Sequence, residues 1–154
     1  TTGTDTGRAV TPDGLAGSVF TTRYLQAVVF DFGTDIAEGT GKFYLHIPPA
    51  LDGMELINTE CHARVITAGS GSTVDIQFFL MHDPTSASTG NNMLTTNLTI
   101  DDGELDSSQD SAAAVDSSYK EVNTNDMIRI DVVGNGGDST VAKGLIVTLG
   151  FQAP

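Results

Sequence analysis

The stretch from Lys42 to Ala68, KFYLHIPPALDGMELINTECHARVITA, sets the tightest limits on what this chain can fold into. Phe43, Leu45 and Ile47 are apolar at every second position, and Lys42, Tyr44 and His46 fill the places between. A two-residue period is that of a strand with one buried and one wetter face. Pro48 and Pro49 carry no amide hydrogen and fix φ, so a hydrogen-bonded ladder has to stop there. Asp52-Gly53 supplies a turn, and from Glu60 the side chains again divide, with Cys61, Ala63 and Val65 against His62 and Arg64. Two strands of this kind need a second apolar layer to close on, which points to a β-sandwich.

Further along, the same logic recurs. Tyr24 to Phe32 is a strand candidate rich in β-branched and aromatic residues. Val74, Ile76, Phe78 and Leu80 form one face of a strand over Thr73–Met81, and Gly69-Ser70-Gly71-Ser72 before it reads as a hairpin turn joining it to Glu60–Ala68. In Met93–Ile100, Leu94, Leu98 and Ile100 are expected inward. Ile128, Ile130 and Val132 alternate with Arg129 and Asp131, and Leu145, Val147, Leu149 and Phe151 share a face of the last strand. The segment Ser111–Tyr119 reads equally as a short strand or a helical turn. The expectation is an all-β protein, a jelly-roll-like sandwich of about eight antiparallel strands over residues 24–154. Residues 1–23 show neither period and read as an extended N-terminal arm.

Composition narrows the function. With 154 residues the chain fits one domain able to bury about 68–70% of its unfolded surface. Twenty Asp and Glu against seven Lys and Arg give a formal net charge of −13. That balance argues against nucleic acid, whose phosphates need clustered cations, and against anionic membrane surfaces. No apolar run reaches the ~18–20 residues that span a bilayer, and the N-terminus lacks the basic-then-apolar order of a signal peptide. A single cysteine, Cys61, excludes an intrachain disulfide, and its place among Ala63 and Val65 makes it a small buried hydrophobe. Stability is then expected from packing and self-association.

Reactive constellations are thin. Among His46, His62 and His82, none stands in a metal-binding or catalytic spacing, and Cys61 and His62, being adjacent in a strand, point to opposite faces. Asp101-Asp102-Gly103-Glu104 offers oxygens that a calcium ion could use, without the spacing of the twelve-residue calcium loop, and Asp131 with Asp138 is a weaker candidate. No enzyme, cofactor or metal site is expected.

The segments FDFGTDIAEGTGKFYLHIPPALDGMELI, HARVITAGSGSTVDIQ, MLTTNLTIDDGE and NDMIRIDVVGNGGDSTVAKGLIVTLGF together resemble a β-rich module of tailed-bacteriophage virion proteins. The resemblance runs from about Val28 to Phe151 and brings no catalytic residues with it. It implies a virion structural protein: a capsid decoration (cement) protein on the capsid exterior, bound to the major capsid protein as a homotrimer. The alternative it implies is the receptor- or glycan-binding head of a fibre or tail appendage. On the first reading the N-terminal arm docks on the capsid through Arg8, Val10, Leu15, Val19, Phe20, Arg23 and Tyr24.

Overall fold

The computed structural model describes residues 21–71, 73–82, 90–108, 112–134 and 140–154. Among the described residues eleven strands run in chain order: β1 (Arg23–Asp35), β2 (Gly39–His46), β3 (Met54–Thr67), β4 (Val74–Met81), β5 (Asn91–Asn92), β6 (Leu94–Thr96), β7 (Leu98–Ile100), β8 (Ala114–Val115), β9 (Glu121–Val122), β10 (Met127–Gly134) and β11 (Lys143–Gln152). A 3-10 turn at Pro49–Leu51 separates β2 from β3, where the two prolines end the ladder. Its Leu51 is buried and its Leu51 amide donates to the Pro48 carbonyl at 2.9 Å.

The strands form two main antiparallel sheets. Sheet A has the order β1-β11-β3-β9; sheet B has β2-β10-β4-β5, with β7 also on β4. Counting β5–β7 as one position and β8–β9 as another, sheet A reads 1-8-3-6 and sheet B 2-7-4-5. Apart from positions 4 and 5, which are neighbours in sheet B, successive strands alternate between sheets, the winding of a jelly roll. The fold is the all-β sandwich the alternation demands.

The inward sets are those the period singles out. Leu145, Val147, Leu149 and Phe151 are fully buried, and Val74, Ile76, Phe78 and Leu80 meet them from the other sheet. Cys61, Ala63 and Val65 line β3, and Leu94, Leu98 and Ile100 are likewise buried. Phe43 and Leu45 pack against this core while Ile47 lies wholly within it.

One expectation fails. Glu60–Ala68 and Thr73–Met81 do not make a hairpin: β3 pairs with β11 and β9, whereas β4 pairs with β10, β5 and β7. Residues 68–73 instead carry the chain from one sheet to the other. Alternation says that a strand has a buried face, not which neighbour shares its hydrogen bonds. The link is tied down elsewhere, by a two-way bridge between Ser70 and Thr140. Gly69 fits because a Cβ there would stand 2.9 Å from the Thr140 carbonyl oxygen.

β3 also carries an irregularity invisible in the sequence. Its pairing with β11 jumps from Leu149↔Cys61 to Phe151↔Leu56, so residues 57–60 bulge out opposite Gly150. A Cβ at Gly150 would lie 2.3 Å from the Glu60 Cβ, so only glycine admits this close approach. The segment Ser111–Tyr119, open between strand and helical turn, contains the two-residue β8, which pairs with β6.

Candidate functional site

The outer faces of the two sheets differ in what they offer. On sheet A the register aligns Gln26, Thr148 and His62 in one row and Val28, Ile146 and Arg64 in the next. These side chains alternate with the core set and so stand on the solvent side. The segment Leu105–Ser107 runs along the free edge of β3: the Val65 amide donates to the Leu105 carbonyl at 2.8 Å and the Ser107 amide to the Ala63 carbonyl at 3.0 Å. The buried Ser107 hydroxyl oxygen accepts from the Ala63 amide at 3.0 Å, which completes this edge. Between the sheet and this segment lies an open groove of about 450 Å³, with Gln26, His62, Arg64, Asp106, Ser108 and Thr148 along it.

The polar side chains along the groove have partners in place. Gln26 Nε2 donates to Thr148 Oγ1 at 3.2 Å, and Arg64 reaches Asp106 at 3.3 Å. The Asp106 carboxyl is held below its usual range, first by the Ser108 hydroxyl and amide that donate to it, then by the positive charge of Arg64. Close by, Tyr24 Oη donates to Glu60 Oε2 at 2.9 Å, and this bond to a carboxylate raises the phenol pKa.

Sheet B presents a different outer face. Arg129 and Asp131, expected on the wetter side of β10, have side chains only 8% and 2% exposed. Arg129 grips Asp131 with two donors, Nε to Oδ1 at 2.8 Å and a terminal nitrogen to Oδ2 at 2.7 Å. The Gly41 amide donates to the same Asp131 Oδ1 at 2.7 Å. The Arg129 guanidinium also lies 4.5 Å above the Phe79 ring centroid. The carboxylate beside Arg129 raises its pKa, so the guanidinium keeps its charge. The sequence signal for it is slender: an Arg and an Asp two residues apart, opposite an apolar face. Asp131 is thus engaged by Arg129 and Gly41, and the weak pairing with Asp138 as a calcium site finds no support in its surroundings; Asp138 lies outside the described residues.

Among the described residues no group of three His, Cys, Asp or Glu side chains converges on a metal position. His46 is exposed on β2, His62 lies on the sheet A groove, and His82 Nδ1 is 2.8 Å from Asp126 Oδ2. In the acidic segment, Asp102 Oδ1 accepts from the Gly71 amide at 2.6 Å and Asp106 is engaged as above, so these carboxylates brace loops. Cys61 is buried as expected, and its thiol donates to the Ile57 carbonyl at 3.2 Å across the bulge.

Burial, with a smaller push from the Glu60 charge, raises the Cys61 pKa to about 12. The unfolded thiol ionises near pH ~8.5 while the folded one keeps its proton. A raised folded value gives stability that is intact below the unfolded pKa and lost as pH climbs towards 12. Chemical denaturation between pH 8 and 11 should therefore show wild type losing up to ~1.4 kcal/mol per pH unit relative to Cys61→Ala. Equal slopes for the two proteins would contradict this.

Of the residues expected in a docking arm, Arg23 and Tyr24 are the first residues of β1, opposite Phe151 and Gly150 of β11. Arg8, Val10, Leu15, Val19 and Phe20 lie outside the described residues. No protein-family model, curated protein or solved structure matches the chain.

Proposed function

We propose that this chain is a structural protein of a bacteriophage virion, a decoration protein that binds the major capsid protein on the capsid exterior as a homotrimer and reinforces it. The observation that carries the reading is that the jelly roll is complete between Arg23 and Gln152. Residues 1–22 precede the first strand, and on this reading they are the segment that docks on another surface. The formal charge of −13 keeps decorated particles apart and repels nucleic acid. On this reading the arm lies across neighbouring capsid subunits, Arg8 and Arg23 meet carboxylates there, and the added contact area raises the barrier to local opening.

Removing residues 1–20 tests it. The truncated protein should keep the far-ultraviolet spectrum and unfolding transition of the sandwich and lose binding to capsids in a co-sedimentation assay. Full occupancy by the truncated protein would defeat the arm mechanism.

The groove on sheet A favours one second reading, a receptor- or glycan-binding head, since its volume of about 450 Å³ is that of a small-ligand site. Copy number separates the two. A decoration protein rivals the major capsid protein on a stained gel of purified virions, and a receptor-binding head is present in few copies.

A further inference from the structure

The groove on sheet A does not end where it was first described. The antiparallel bridge between Arg64 and Asp106 carries the row of Ile146 and Arg64 onto the edge segment, where Ser108 joins His62 in the lining. A second depression, of about 230 Å³, shares His62, Ser107 and Ser108 with the first and runs on past Asn58 and Thr59 at the bulge. The two make one trench along β3.

Its lining is amphipathic. Ile146 lies on the outer side of β11 as an apolar floor, and the Gln26 amide, the Thr148 hydroxyl and the His62 imidazole stand beside it. Amide, hydroxyl and imidazole groups both donate and accept. The bonds from Gln26 to Thr148 and from Arg64 to Asp106 each use one donor nitrogen, so they hold these side chains in place and leave their other polar atoms to a ligand. An aromatic ring lies in the next row. Tyr24 reaches across β11: its Oη meets Glu60 on β3, and its Cε1 passes 3.1 Å from the point that a Cβ on Gly150 would occupy. The ring therefore rests on the sheet where glycine leaves room, and the residue is 53% exposed. Tyr24 and Gln26, two apart in the regular part of β1, share the outer face.

These features select among ligands. A pyranose ring has C–H groups on its faces and hydroxyls round its edge, which matches an apolar floor bordered by groups that donate and accept. An exposed aromatic ring laid on the sheet gives a neighbouring unit a surface to stack on. Arg64 is already matched by Asp106, and Glu60 stands at the Tyr24 end. A carboxylate on the ligand would meet those two carboxylates and a chain of net charge −13, and nucleic acid fails on the same ground.

We infer that the trench along β3 binds a neutral oligosaccharide, with one pyranose unit over Ile146 between Thr148 and His62 and the next on the Tyr24 ring. The inference rests on the second reading above, whose ligand class it names.

Titration of the full chain, followed by amide chemical shifts, tests it with maltohexaose, cellohexaose and mannohexaose, and with hexagalacturonate as the acidic counterpart. At least one neutral hexasaccharide should bind, and hexagalacturonate should not. His62→Ala/Thr148→Ala and Tyr24→Ala should each weaken that binding at least ~10-fold with an unchanged unfolding transition. Tyr24→Phe keeps the ring and gives up only the bond to Glu60, so it should retain binding, as should Val133→Thr on an exposed residue of β10. The double variant leaves Tyr24 and Glu60 in place, so the test stands even if Tyr24→Ala does not fold. Failure of all three neutral hexasaccharides to bind overturns the inference, as does binding that the folded variants retain in full. Binding of hexagalacturonate alone, lost in the same variants, supports the receptor-binding reading and overturns the neutral ligand. Neutral binding lost in the variants, by a protein that rivals the major capsid protein in amount on purified virions, supports the site and overturns the receptor-binding head.

Discussion

Arg129→Leu should lower the stability of the folded chain by about 3–5 kcal/mol, a large share of the ~5–15 kcal/mol that holds a domain together. The substitution strips two donors from a carboxylate whose side chain is 2% exposed, and leaves it the Gly41 amide. A buried charge that has lost its partner keeps its desolvation cost and forfeits the attraction that offset it. The double substitution Arg129→Leu/Asp131→Asn removes both charges and keeps a side-chain oxygen for the Gly41 amide. It should recover most of the loss, so the two changes are strongly non-additive. Urea titrations of the two single variants and the double variant measure this. A loss under ~1 kcal/mol for Arg129→Leu would mean that water reaches the pair and screens it.

Phe78→Ala is the second large effect. Phe78 is fully buried in β4, opposite Ile130 of β10, and its carbonyl accepts from the Met93 amide at 2.7 Å. Truncation leaves that hydrogen bond in place and opens a cavity between the sheets, at about 3–5 kcal/mol. For a domain of this length the transition temperature should fall by roughly 6–20 °C. Phe32→Ala provides the contrast within the same chain. Its side chain is 76% exposed, so its removal should shift the unfolding of the isolated chain by less than ~0.5 kcal/mol. Calorimetry on the two variants under dissociating conditions gives the comparison, and equal losses would contradict the burial of one and the exposure of the other.

Which residues face the core was legible in the sequence because a strand with one wet face writes its orientation at every second position. Cys61, Ala63 and Val65 are inward and His62 is outward, as the alternation around Glu60 requires. Pairing was not legible. A glycine-serine link between two alternating strands suits a hairpin and a crossing between sheets equally, and β3 and β4 took the crossing. Strands of two or three residues, such as β5 to β9, are too short to carry a period, so the split of those two jelly-roll positions into several pieces left no trace.

The candidate surfaces were harder still. Arg129 and Asp131 occupy outward positions of β10, and alternation assigns such positions to water. Their burial depends on neighbours brought in by pairing, Phe79 from β4 and Gly41 from β2. Likewise the aromatic and β-branched residues of β1 read as good strand formers, which they are. That Val28 and Phe32 stand bare is a consequence of β1 lying at a margin, and margins are set by topology. The groove joins residues from positions 26 to 148, a juxtaposition no local spacing encodes.

Arg23 lies opposite Phe151, and Gln152 Nε2 donates to Thr21 Oγ1 at 3.4 Å, so the chain leaves the sandwich at both ends from one corner. Tension applied between residues 22 and 153 would pull β1 and β11 apart like a zip, loading their hydrogen bonds singly and in sequence. Tension applied between residue 22 and Lys143, where β11 begins opposite Asp35, would load the same bonds side by side. The molecule is thus mechanically soft along one axis and stiff along the other, and a protein fused after Pro154 would crowd the corner at which β1 begins.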